Sequence, residues 1–420
     1  MSQQLTITAP TYGPSGVARR KDGKVVFVHR GLPGDVVEVE ITRSKKQYDE
    51  GTIRTLHESS PLRREPSCPM YDLCGGCSWM HAHRDAQLEM KRDVVRQTLR
   101  GVVEGDMVLS PANLGPEFGY RQRARFQLDV IGGSLRAGFF APSSHSLVPL
   151  THCPVLTNRL NEVLRSLTGA TPPFSFSGSM DVVSGDSEFV YAALYASNPL
   201  SDSDALARWL VDGVGVQGAM VKGPRSRPAQ AGVPWGHLTV TQNPTSQILV
   251  FPGAFTQANA VVNEALISHT LSTIPPAPGR ILELYAGHGN FTIPLAQSGH
   301  TVHAVEVGLH PEYKPGLKGV TVERSSAAAS TRRWALAREK VDVVLMDPPR
   351  TGAKDVIEFL PPLSASQIVY VSCNPSTFAR DAKALLDAGY VVDSLRLFDM
   401  MPQTHHVELM ACLVDRNSPQ

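Results

Sequence analysis

Short runs of β-branched and apolar residues, broken by turn residues, open the chain. Val25–Val28, Val36–Ile41 and Gly51–Leu56 read as strands, with GLPGD and RSKKQYDE as the turns between them. Strands this short and this closely spaced predict a small barrel. SSPLRREP then breaks the pattern and marks a linker over residues 58–66. Beyond it, RDAQLEMKRDVVRQTLR has helical spacing through Leu88, Val95 and Leu99. Residues 115–260 return to β-like runs such as RARFQLDVIG and EFVYAALYA. The Gly-, Pro- and Arg-rich stretch from Gly213 to Gly236 reads as a loop. STIPPAPG, Ser272 to Gly279, separates this region from the last one.

The last region changes rhythm. RILELYAG, TVHAVEV, VDVVLMD, QIVYVS, YVVDSLRLF and HVELMACLV are continuous apolar runs, and TFARDAKALLDAG is a helix between two of them. That alternation predicts an α/β domain with a mostly parallel sheet and functional residues at the carboxyl ends of its strands. LELYAGHGNF places Glu283 at one strand end, followed by Gly287 and Gly289 where backbone can approach a ligand. The third glycine of a dinucleotide fingerprint is missing, and Asn290 and Phe291 follow instead. The next strand ends in Glu306, whose carboxylate suits ribose hydroxyls. Once the later residues are counted, S-adenosylmethionine, with ribose hydroxyls but no pyrophosphate, is the better ligand than a dinucleotide.

Composition narrows the class. The 420 residues are 42% hydrophobic, enough for two or three cores, and carry a net charge of only +1. An RNA- or DNA-binding face must therefore be local. Arg19, Arg20, Lys21, Arg43, Lys45 and Lys46 could line the first module, and Tyr120, Arg121 and Arg123 a second face. No apolar run is long enough to span a membrane, and the N-terminus has no basic-then-apolar signal, so a cytoplasmic protein is expected. Nothing resembles a helix that would read a DNA groove; β modules, stacking and Arg or Lys contacts are instead how looped or single-stranded RNA is handled.

Two sets of residues carry chemistry. VVLMDPPRTG puts Asp347 at a strand end, IVYVSCNPSTFARD puts Cys373 at the next, and HVELMACLV begins near Glu408. If the three ends converge, they supply an orienting carboxylate, a nucleophile and a base. Cys412, inside LMACLV, reads as core. The second set is Cys68-x5-Cys74-x2-Cys77, with Cys153 in LTHCP as a fourth member. Four thiolates suit zinc or an iron–sulfur cluster, and the spacing does not choose.

LELYAGHGNFTIPLA, MDPPRTG, YVSCNPSTFARD and DMMPQTHHVELMACL, with FTQAN at 255–259 and YRQRARF at 120–126, together resemble the iron–sulfur, TRAM-domain type of RNA uracil-C5 methyltransferase. The resemblance spans nearly the whole chain. It implies a TRAM- or OB-like barrel over 1–60 that binds RNA. It implies a β-rich central domain over 61–264 with the cysteines, and a Rossmann-like class I methyltransferase domain over 265–420. It implies that Cys373 adds to uracil C6, that Glu408 removes the C5 proton and that Asp347 holds the site. Gln257, Glu283, Tyr285, Gly287, Asn290, Glu306 and Asp347 would bind S-adenosylmethionine. Phe255, Gln257, Arg121 and Arg123 would bind RNA, with Phe255 stacking on the flipped base. Cys68, Cys74, Cys77 and Cys153 would hold a [4Fe–4S] cluster. The implied target is 23S ribosomal RNA, acted on by a monomer. A transfer-RNA enzyme, an RNA amino-group methyltransferase and a noncatalytic RNA-binding assembly factor are the rival readings. The chain departs from the family at 307–328, which is short and interrupted by Pro311, Pro315 and Gly316, and at Thr256, where a second aromatic is usual.

Overall fold

Alternating burial shapes the first module: Val25–His29 buries Val26 and Val28 and turns its other residues outward. In the computed structural model, which describes residues 4–112, 115–186, 189–311 and 313–416, six strands form this sheet. Their order is Gln4–Thr6, Val36–Ser44, Tyr48–Glu58, Val25–His29, Ser15–Arg19 and Ala9–Pro10. Leu5, Ile7, Ala18, Val26, Val28 and Val37 fill its core. Strands run farther into RSKKQYDE than its charge suggested, because Arg43 and Ser44 still pair across to Glu50 and Asp49. The linker is held rather than free. Buried Asp35 accepts the backbone N–H of Leu32 at 2.7 Å and of Ser60 at 2.9 Å, and pairs with Arg63.

The helix Arg84–Thr98 forms as its spacing predicts and leads into a seven-stranded sheet. That sheet runs Ala229–Gly232, Gly218–Lys222, Val190–Ala196, Ser177–Ser184, Arg123–Ile131, Ser134–Phe140 and Leu147–Pro149. Its first two strands lie in the stretch expected to be a loop. Gly218–Lys222 pairs in parallel with Val190–Ala196, and that tertiary pairing overrides a composition with little strand propensity of its own. The hairpin Gly236–Gln242/Thr245–Val250 shares a core with the helix Ala260–Thr273 and the following sheet. The expected join at 264/265 lies inside that helix.

The last sheet has seven strands, numbered here β1 (Arg280–Leu284), β2 (Thr301–Val305), β3 (Val320–Glu323), β4 (Val343–Met346), β5 (Gln367–Ser372), β6 (Tyr390–Phe398) and β7 (Glu408–Asp415). Their order is β3-β2-β1-β4-β5-β7-β6. β1 to β5 pair in parallel, and β7 lies antiparallel between β5 and β6. Every residue of β4 and β5 is buried, which is why they appear in the sequence as unbroken apolar runs. Between Glu306 and β3 the described residues form no helix, as the two prolines and the glycine predict. Among the described residues no helix is long and apolar enough to cross a membrane.

Candidate active site

The strand register assembles the site. Met346 pairs with Leu284 and with Tyr370, and Ser372 pairs with Leu409. The next residues along, Asp347 and Cys373, therefore emerge at the same sheet edge as Glu408, the first residue of β7. Asp347 accepts a hydrogen bond from Gln257 Nε2 at 3.3 Å. Burial lifts the Asp347 carboxyl to about 7 and Glu408 well above the carboxylate range, where the Asp347 charge adds to the effect. Burial therefore favours the neutral form of both carboxyls. Burial, then Glu408 and Asp347, push the Cys373 thiol up to about 12, while Arg350 opposes them. The protein alone thus stores Cys373 as a thiol, not as the low-pKa thiolate that nucleophilic cysteines often present. Cys412 lies inside β7 opposite Val369, buried, with its sulfur accepting from Gln367 Nε2 at 2.8 Å.

The glycine loop leaves β1 through left-handed backbone. Tyr285 has φ 60°, Gly287 55° and Gly289 95°. A Cβ at Gly289 would stand 2.6 Å from the Tyr313 hydroxyl, so the close approach needs glycine. Glu306 accepts the backbone N–H of Gly287 at 3.1 Å and of Gly308 at 2.7 Å, which fixes its carboxylate against the loop. Glu283 accepts from Thr292 Oγ1 at 2.6 Å through one oxygen; the other is buried with no hydrogen-bond partner in the protein. Burial raises its carboxyl to about 8. An orphaned buried oxygen beside a loop that admits close backbone approach fits S-adenosylmethionine, with Glu306 placed for ribose hydroxyls. Asn290 exchanges amide hydrogen bonds with Asn263 at 2.9 and 3.0 Å, so its side chain ties the loop to the helix Ala260–Thr273.

Residues expected to meet RNA divide between the mouth of the site and a neighbouring cavity. Phe255 is 63% exposed, with the Arg123 guanidinium 4.9 Å from its ring centre, so it is a surface aromatic rather than a core one. Gln122 Nε2 donates to the Gln257 carbonyl at 3.1 Å and holds this segment against the central sheet. Arg121 lines a cavity of about 260 Å³ together with Arg125, Arg350 and His406.

Cys68, Cys74, Cys77 and Cys153 line the same cavity, and all four are free thiols. The [4Fe–4S] expectation is corrected here, and the expected metal-binding character with it. Among the described residues no group of three or more His, Cys, Asp or Glu is placed to hold a metal ion. Burial raises Cys74, Cys77 and Cys153, the last to about 11, and all four cysteines pack against the central core.

Three residues at the site carry no assignment from sequence. Arg350 lies within MDPPRTG, a motif in which only Asp347 is assigned a role. Tyr12 donates its hydroxyl hydrogen to the Cys373 carbonyl at 2.7 Å from 361 residues away. Gln403, buried at φ 69°, is clasped by Gln87, Arg64 and the backbone N–H groups of Ser78 and Trp79.

The β3-β2-β1-β4-β5-β7-β6 sheet, with its glycine loop and carboxylate at the ends of β1 and β2, defines a methyltransferase of the Rossmann-like, S-adenosylmethionine-dependent class. The family model described as tRNA (Uracil-5-)-methyltransferase matches residues 242–312 and 327–416, and the TRAM domain model matches residues 2–53. The unmatched gap falls within the short 307–328 segment. A Pseudomonas putida protein named 23S rRNA (uracil(1939)-C(5))-methyltransferase RlmD is 34% identical, over 93% of this chain and 89% of its own. The protein of the same name from Yersinia enterocolitica is 32% identical over 97% and 95%. The solved tRNA (uracil-54, C5)-methyltransferase of Pyrococcus abyssi superposes with a TM-score of 0.74 at 23% identity, covering 98% of this chain and 100% of that one, and shows the shared fold. The chain belongs to the TRAM-containing RNA uracil-C5 methyltransferase family and is an S-adenosylmethionine-dependent enzyme of that activity.

Proposed function

We propose that the chain methylates C5 of a uracil in 23S ribosomal RNA, with Cys373 as nucleophile, Glu408 as base and Asp347 holding the pair. The observation that carries the chemistry is the convergence of these three side chains at one sheet edge, set by the pairings of β1, β4, β5 and β7. The choice of ribosomal RNA rests on the names of relatives aligned over 93–97% of the chain. We place the reaction in the cytoplasm, where that RNA is made.

Uracil C5 is too weak a nucleophile to be methylated unaided. As Cys373 gives up its thiol proton to solvent, its sulfur bonds to C6 and the C5–C6 π pair moves onto C5 and the O4 carbonyl, giving C5 carbanion character. Glu283, the 285–289 loop and Glu306 would hold S-adenosylmethionine, which would supply an electrophilic methyl group and leave as the neutral thioether. Once C5 bears that methyl, Glu408 takes the C5 proton, the double bond re-forms and Cys373 leaves. A carboxyl raised by burial is the stronger base once ionised, which suits a carbon acid. Phe255 and Arg123 stack on the extruded base or its neighbour, and Gln257 bridges that pocket to Asp347. The three-part division at 1–60, 61–264 and 265–420 then corresponds to RNA docking, base presentation and chemistry.

The test is methylation of 23S and transfer RNA by the purified chain, read by mass spectrometry of digested nucleosides. 5-Methyluridine in 23S RNA is expected, lost in Cys373→Ala. Product only in transfer RNA would overturn the target, and full activity of Cys373→Ala would overturn the chemistry.

A further inference from the structure

Cys373 sits in a loop whose backbone is fixed from three sides. Ser372 Oγ accepts the Asn374 N–H at 3.2 Å, and Asn374 Nδ2 donates to the Arg350 carbonyl at 3.1 Å. The third contact comes from the barrel, where Tyr12 Oη donates to the Cys373 carbonyl at 2.7 Å. Tyr12 is itself pinned. Its ring meets His405 edge-on at 5.3 Å and His406 at 6.4 Å, both on the loop that leads into Glu408. Trp79 Nε1 donates to the Gly13 carbonyl at 3.1 Å, holding the turn that presents Tyr12. His405 is in turn fixed by Ser78, whose Oγ accepts its backbone N–H at 2.9 Å.

On the reading that Cys373 is the nucleophile, we propose that Tyr12 is a positioning residue for its thiol, contributed to the active site by the RNA-docking barrel. The carbonyl that Tyr12 holds belongs to the cysteine itself, so the bond fixes the peptide from which the Cα–Cβ–Sγ arm projects. The same ring touches the loop carrying the base, so one side chain sets the spacing between nucleophile and base. Burial, the largest influence, raises the Tyr12 hydroxyl above its ordinary value, as do Cys373 and Glu408. The hydroxyl therefore remains a donor throughout the working pH range. Productive attack geometry depends on small displacements, and a nucleophile out of place by ~1 Å can lose about a hundredfold in rate.

Tyr12→Phe removes the donor and keeps the ring. The assay is single-turnover adduct formation, with S-adenosylmethionine present, on RNA carrying 5-fluorouracil: once C5 has taken the methyl group, its C5–F bond leaves no proton for Glu408 to remove, so the Cys373–C6 adduct accumulates. Tyr12→Phe should form the adduct about tenfold more slowly. Affinities for RNA and S-adenosylmethionine and the melting temperature should stay unchanged. Trp79→Phe, which frees the Gly13 turn, should give a smaller slowing of the same kind, and it carries the test if Tyr12→Phe fails to fold. A wild-type adduct rate, or a slowing that saturating RNA abolishes, would overturn the proposal. The controls separate it from the reading beneath it: adduct formation by Cys373→Ala sinks the nucleophile assignment, whereas an inert Cys373→Ala beside a fully active Tyr12→Phe sinks only the role of Tyr12.

Discussion

At the scale of single residues, the site is a set of acids kept neutral until used. Cys373 is pushed up to about 12 and Asp347 to about 7, with Glu408 raised further than Asp347. Cys373 and Glu408 must each lose a proton to work as proposed, so the single-turnover rate should still be climbing as pH rises well above neutral. Glu408→Gln should lower turnover by about 10²–10⁴-fold, the usual contribution of a general base. It also removes a charge that raises the Cys373 thiol, so the stalled adduct should form at a lower pH than in the native enzyme. A gel-shift titration under denaturing conditions reads both effects. Glu283 makes a separate prediction about stability. Its carboxyl is raised from an ordinary value near 4.5 to about 8. The folded state therefore holds the proton more tightly, and the stability this gives is full below 4.5 and lost as pH rises to 8. Glu283→Gln keeps an acceptor for Thr292 without the charge, so its melting temperature should gain on the native enzyme progressively between those pH values. Weaker S-adenosylmethionine binding should accompany that gain.

At the scale of elements, what the sequence revealed follows burial. β4 and β5 are legible because strands covered on both faces need apolar residues throughout, and their carboxyl ends pointed to Asp347 and Cys373. Gly218–Lys222 and Ala229–Gly232 were illegible because they exist by pairing with partners already in the sheet. Four cysteines suggested a metal site, and the resemblance an iron–sulfur cluster, because neither fixes the side-chain geometry a ligand set requires. The helix Arg84–Thr98 matters beyond its own periodicity. Its buried Lys91 pairs with buried Asp399, which Arg84 also contacts, and Lys91 Nζ donates to the Met401 carbonyl at 3.1 Å. This helix thereby anchors the start of the loop that delivers Glu408. Lys91→Met would leave Asp399 with one partner in a dry site, at a cost of about 3 kcal/mol. Denaturant unfolding should show that loss, while replacement of exposed Arg100 should leave stability unchanged.

At the scale of the whole molecule, a net charge of +1 conceals an uneven surface. The register pairing Arg19 with Val25, Val25 with Tyr48 and Ser44 with Asp49 gathers Arg19, Lys21, Arg43, Lys45 and Lys46 at one end of the barrel, all exposed. Arg20 is instead paired with Asp49 at 2.9 Å. Replacing Arg43, Lys45 and Lys46 with Ala should weaken RNA binding and reduce its salt slope by about 0.7 for each phosphate no longer neutralised, with the rate at saturating RNA unchanged. Filter binding at several salt concentrations decides it.

The bond between Tyr12 and Cys373 joins nearly the first described part of the chain to nearly the last. Synthesis runs from one to the other, so the barrel emerges and folds long before either reacting side chain exists. A chain interrupted ahead of Glu408 would carry the barrel and Tyr12 without the carboxyl at the start of β7. Until β7 pairs with β5 and β6, the nascent chain has no Glu408 at the sheet edge where Asp347 and Cys373 emerge.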